Sequence, residues 1–144
     1  MQRYFLISAF FILFYSCLSL ARADDITFIV NENNPATSIS RAELVDYFFK
    51  KKRKWPDGTS VRFLDRKNDS LVRKVFLSEY LNKSSEDVEL FWIGQKLYSG
   101  DSAPLKESSD SMALQFVKSF KGAISFVPEQ AAFDAEGIKI IQVR

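Results

Sequence analysis

Arg66-Lys67-Asn68-Asp69-Ser70-Leu71-Val72-Arg73-Lys74-Val75-Phe76 reads as a strand end, a polar turn and a helix start, with cationic side chains on both sides of the turn. The first turn of a helix carries free backbone N–H groups and the positive end of the macrodipole, so this layout favours negative charge. Arg66, Ser70 and Arg73 add side-chain donors around Asn68 and Asp69. The same residues also describe a plain capped amphipathic helix with a solvated basic rim, since Asn and Asp are ordinary N-caps.

On either side of this stretch strands and helices alternate. Upstream, Ser60 to Asp65 is a strand carrying Val61, Phe63 and Leu64, set off by the turn residues Trp55-Pro56-Asp57-Gly58. Before it, Ser40 and Glu43 form a capping box, and Leu44, Val45, Phe48 and Phe49 make an apolar stripe that ends in a basic run. The β-branched and aromatic run Ile26 to Val30 is a buried strand, closed by Asn31 to Pro35. Downstream, Leu71, Val72, Val75, Phe76 and Tyr80 keep helical spacing until Asn82. A third helix starts at Ser84 with Val88, Phe91 and Trp92 inward, and Tyr98 to Pro104 is a loop. Met112, Ala113, Phe116, Val117 and Phe120 mark a fourth helix, with Lys118 and Lys121 near its end and Gly122 as its stop. Ala123 to Val127 and Ile138 to Val143 are the last strands. This order predicts an α/β fold with a mostly parallel sheet, helices on both faces, and any ligand at the carboxyl ends of the strands.

The first residues predict export. Met1-Gln2-Arg3, the apolar run Tyr4 to Leu20 and the Ala21-Arg22-Ala23 site describe a signal peptide cleaved after Ala23, leaving residues 24–144 as one domain of 121 residues in the periplasm with no transmembrane anchor. Phe14-Tyr15-Ser16 before Cys17 is too bulky for the box that precedes a lipid-modified cysteine. Arg3 and Arg22 leave with the signal, so 20 basic residues become 18, against 18 acidic ones. No overall field draws the mature chain to nucleic acid. With no His and no remaining Cys, it lacks the residues for Ser-His-Asp triads, Cys-His dyads, disulfides and most zinc or haem sites. No catalytic residues, metal ligands or cofactor are therefore expected. Lys50 to Lys54 reads as a solvated helix end, and Trp55 and Trp92 as packing residues.

Several of these segments, taken together, resemble the periplasmic phosphate-binding proteins of ABC importers, in a short, single-lobe form. The likeness is carried by Asn33-Asn34-Pro35 followed by Ser38-Ile39-Ser40-Arg41-Ala42-Glu43-Leu44 and Phe48, by Lys54-Trp55-Pro56-Asp57-Gly58, by Arg66 to Phe76, by Trp92 with Gly100 and Pro104, and by Gly122-Ala123-Ile124-Ser125-Phe126-Val127. It implies one lobe of a type II periplasmic-binding-protein fold. It also implies a phosphate-like oxyanion held by Arg66, Asn68, Asp69, Ser70 and Arg73, with the Asn33-Asn34 loop as a neighbour. The family's anion turn reads Arg, three residues, then Ser-Gly-Thr, whereas Leu71 and Val72 stand here in place of Gly and Thr. That exchange removes the open backbone approach and a hydroxyl donor, so weak binding is expected. The length supplies half of a two-lobed cleft. The alternative is an accessory module that keeps the fold without the ligand and binds an envelope protein or itself.

Overall fold

The computed structural model describes residues 25–144; the expected signal peptide lies outside them. Strands β1 (Ile26–Asn31), β2 (Ser38–Ile39), β3 (Arg62–Arg66), β4 (Leu105–Glu107), β5 (Ala123–Pro128) and β6 (Ile138–Val143) form one sheet in the order β2-β6-β1-β5-β3-β4. Of these, β1 alone is antiparallel to both neighbours, and the other pairings are parallel. All four strands expected from the sequence lie in this sheet. The two-residue β2 and three-residue β4 at its edges are too short to leave a pattern.

Alternation along the strands divides the interior into two layers. Phe28, Val30, Phe63, Ile124, Phe126 and Ile141 face one side, where α1 (Arg41–Phe48), α2 (Leu71–Val75) and α3 (Ser85–Tyr98) cover them. Ile29, Leu64, Ala123 and Val127 face the other, under α4 (Asp110–Ser119) and the single turn α5 (Glu129–Ala132). The capping boxes at Ser40–Glu43 and Ser84–Asp87 are both formed, which sets the starts of α1 and α3. Beyond α2 the chain widens into a π-helical turn, Phe76–Leu81, ended by Asn82 in the left-handed conformation. The wider turn brings Phe76, Leu77 and Leu81 onto the buried side together, a spacing that an α-period count does not register.

Gly122 has a different role from the helix stop expected of it. The helix ends at Ser119, Phe120 is already extended, and Gly122 sits where a Cβ would lie 1.9 Å from the Ser60 carbonyl oxygen. Its own carbonyl accepts from the Arg62 N–H at 2.9 Å and the Trp55 indole at 3.0 Å, which ties the start of β3 to the start of β5. Gly122→Ala is expected to destabilise by about 1–3 kcal/mol, the range for forced overpacking, and to shift Trp55 fluorescence. Unchanged stability would show that the Ser60 strand yields freely.

Lys50 to Lys54 follows α1 as a solvated basic run in which two of the five cations are paired. Lys52 pairs with Glu43 at 2.7 Å, Arg53 with Asp101 at 2.7 Å, and the Lys50 ammonium donates to the Ser102 carbonyl at 2.6 Å. Trp55 and Trp92 are both buried, as packing residues.

Candidate oxyanion site

The Arg66 turn lies where β3 ends and α2 begins, at the carboxyl ends of β3, β4 and β5. Successive residues on a strand point to opposite faces, so Asp65 and Arg66 serve separate networks. Arg66 is 1% exposed. Its Nε donates to the Glu107 carbonyl at 3.1 Å, Nη1 to the Phe126 carbonyl at 3.0 Å, and Nη2 to the Ser108 carbonyl at 3.1 Å and to Asp110 Oδ1 at 2.6 Å. Every nitrogen of this guanidinium is engaged by the protein, and a carboxylate balances its charge.

Arg73 turns to the other side. Its Nε lies 3.0 and 3.2 Å from the two Asp65 oxygens, and Nη1 donates to the Ser85 hydroxyl at 2.9 Å. Nη2 is 3.6 Å from Glu89 Oε1 without a hydrogen bond. Asp65 also accepts the Arg66 backbone N–H at 2.7 Å. Burial pushes the Asp65 carboxyl above the ordinary carboxylate range, and the Arg73 charge and this N–H pull it back.

The polar residues of the turn are occupied by local structure. The Ser70 hydroxyl caps α2 by accepting the Arg73 N–H at 3.3 Å, and Asn68 accepts from Lys106 at 2.8 Å. Asp69 is exposed. Asn33 and Asn34 are not neighbours of this turn. They follow β1, which runs against the other strands, so they lie at the opposite end of the sheet, where the Asn34 amide donates to the Lys121 carbonyl at 3.4 Å. Val72, where the family has a threonine, offers no hydroxyl to this turn. Ser125, standing on β5 within the segment similar to the family's strand, spends its hydroxyl on the Leu64 carbonyl at 2.9 Å.

Sequence reasoning missed Asp110. The available signal was Ser108-Ser109-Asp110-Ser111 ahead of the α4 stripe, a start for a helix with an acid in its first turn. Ser109 is indeed the cap, accepting the Met112 N–H at 3.1 Å, and this orients Asp110 toward Arg66. Among the described residues, no three His, Cys, Asp or Glu side chains are grouped to hold a metal ion, and no helix is long and apolar enough to cross a membrane.

No family model and no curated protein matches the chain. Solved structures do. An ABC-type phosphate transport receptor from Vibrio cholerae superposes with a TM-score of 0.61 at 20% identity, over 82% of this chain and 45% of that one. A putative phosphate ABC transporter substrate-binding protein with bound phosphate from Clostridium perfringens gives 0.64 at 15%, over 82% and 44%. PstS from Borrelia burgdorferi gives 0.65 at 14%, over 83% and 47%. The fold is that of one lobe of a phosphate-transport receptor. The chain spans just under half the length of these proteins.

Proposed function

We propose that this lobe is a non-catalytic binding module of the periplasm that keeps the receptor fold as an interaction platform, with its oxyanion pole closed by its own Asp110. One observation carries this reading: all three Arg66 nitrogens are hydrogen-bonded inside the protein, a carboxylate at 2.6 Å among the partners. An external phosphate would have to displace that carboxylate and would meet Leu71 and Val72 where small or hydroxyl-bearing residues would serve it. A charge contact exposed to water contributes only a fraction of a kcal/mol to about one. The absence of His, and of Cys after Cys17, from the chain supports a role without catalysis.

A second reading, oxyanion binding at Arg66 and Ser70 with Asn68, Asp69 and Arg73 around them, is favoured by the exposure of the Asp110 side chain at 42%, which leaves it free to swing away from the guanidinium. Thermal unfolding in a phosphate titration at fixed ionic strength separates the two. A ligand at ten times its Kd stabilises the native state by about 1.4 kcal/mol. The expected result is an unfolding midpoint for the wild type that does not move with millimolar phosphate. A rise that Arg66→Lys abolishes would overturn the interaction reading in favour of oxyanion binding.

A further inference from the structure

The pairing of β3 with β4 begins at Leu64 and Leu105, and Pro104, which has no N–H to donate, does not carry the ladder further back. Arg62 and Phe63 therefore run ahead of β4. Beside them, at the amino ends of the two strands, a cavity of about 470 Å³ opens to solvent. The Arg66 turn is at the other end of β3, roughly 13 Å away at 3.3 Å per residue. The cavity walls are apolar, with Phe63, Pro104 and Leu105 along the sheet edge and Phe116 and Phe120 from the end of α4 and the residue after it. The Phe116 and Phe120 ring centroids are 5.1 Å apart with the planes tilted by 58°.

Two cations line the same cavity. The Arg62 guanidinium lies over the Phe120 ring, 4.2 Å from its centroid. Lys50 enters from the end of α1, with its ammonium on the Ser102 carbonyl at 2.6 Å and 5.7 Å above the Trp92 ring. Neither has a carboxylate partner among the described residues, and none of those lining the cavity is acidic. The Asp101 carboxyl is lowered chiefly by its hydrogen bond from Arg53 and only in part by the Lys50 charge; both terminal Arg53 nitrogens hold it, outside the cavity. The Lys50 backbone is in the left-handed region at φ 57°, which a glycine would adopt without steric cost. The chain thus holds a cation at this mouth at the expense of its backbone, the kind of strain that collects at binding sites.

We infer that this cavity binds a small aromatic carboxylate, its ring against Phe63, Phe116 and Phe120 and its carboxylate on Arg62 and Lys50. The volume and the largely apolar lining with a few polar groups are those of small-molecule sites. Two cations without a carboxylate select an anion, and tilted rings offer edge and face contacts that favour an aromatic body over an aliphatic one. Inorganic phosphate has no apolar body, and exposed cations alone hold it weakly. The inference goes beyond the reading of the Arg66 turn and uses none of its residues.

Naphthoate, titrated into the wild-type chain and followed by amide NMR shifts, tests this, with acetate, inorganic phosphate and the neutral naphthalene methanol as controls. The expected result is saturable binding at millimolar naphthoate or below, with shifts centred on residues 61–63, 103–105 and 116–120. Arg62→Gln and Lys50→Gly each weaken it about fivefold, the factor one exposed charge contact supplies, and naphthalene methanol binds weaker than naphthoate by at least as much. Leu105→Glu, at a wall position that is 70% exposed, sets a carboxylate against that of the ligand and weakens binding likewise. Acetate and phosphate leave these residues unshifted. Thermal unfolding confirms that each variant folds, and Leu105→Glu carries the test if Arg62→Gln does not. The absence of saturable naphthoate binding, equal affinity for the neutral analogue, or binding indifferent to the substitutions would overturn the inference.

Discussion

Asp65→Ala is expected to cost about 3–5 kcal/mol of folding stability, the range for removing one partner of a buried ion pair. Asp65 and Arg73 are each 1% exposed. The carboxylate holds Arg73 Nε through both oxygens and also accepts the Arg66 N–H, so its loss leaves a guanidinium in the interior with Ser85 as its one hydrogen-bonded side-chain partner. Glu89, at 3.6 Å from Nη2, is already paired with Lys106 at 2.6 Å and offers weak compensation. Burying an uncompensated charge is far costlier than losing the pair as a whole. Hence Asp65→Leu combined with Arg73→Met is expected to recover most of the stability lost in Asp65→Ala. Urea unfolding followed by tryptophan fluorescence measures both. A single-variant loss below about 1 kcal/mol would mean that water reaches Arg73.

Phe76→Ala is expected to be of similar size, about 3–5 kcal/mol, by a different route. Phe76 is fully buried at the head of the π-helical turn. Its ring centroid lies 4.3 Å from Phe126, 5.3 Å from Phe48, 5.9 Å from Phe63, 6.0 Å from Phe28 and 6.3 Å from Tyr80. These neighbours come from three strands and two helical segments, so no single element can shift to close the cavity. Phe76→Leu retains most of the apolar volume and is expected to lose less than half as much. Against a typical total of about 5–15 kcal/mol, the alanine variant approaches the threshold of folding. An equal loss for both variants would point to the ring stacking, rather than the cavity, as the source.

Strand positions, helix starts and the two-layer division were legible in the sequence because each depends on neighbouring residues. The runs at 26–30 and 123–127 are continuous because both faces of a mid-sheet strand are covered, and Ser40 and Ser84 announce helices because their hydroxyls meet an N–H three residues on. The same local logic placed a helix N-terminus at Ser70. The edge strands escaped it, being too short for any period, and so did the π-turn, whose repeat is not the one being counted.

The sequence by itself determined an α/β lobe, its capping signals, and the absence of His from the whole chain and of Cys beyond residue 17, because these follow from composition and from contacts within a few residues. The fate of the anion turn was decided only by tertiary structure. Asp110 is 44 residues from Arg66, and nothing in the intervening chain shows that parallel pairing of β3 with β4 brings the start of α4 onto that guanidinium. The antiparallel course of β1 likewise sends Asn33 and Asn34 to the far end of the sheet, a direction that a strand's residue pattern does not encode. The exposed aliphatic residues of α3 belong to the same class. Leu90, Ile93 and Leu97 are ordinary core-type residues until the sheet has been covered by the opposite face of their helix, and only then do they stand outside.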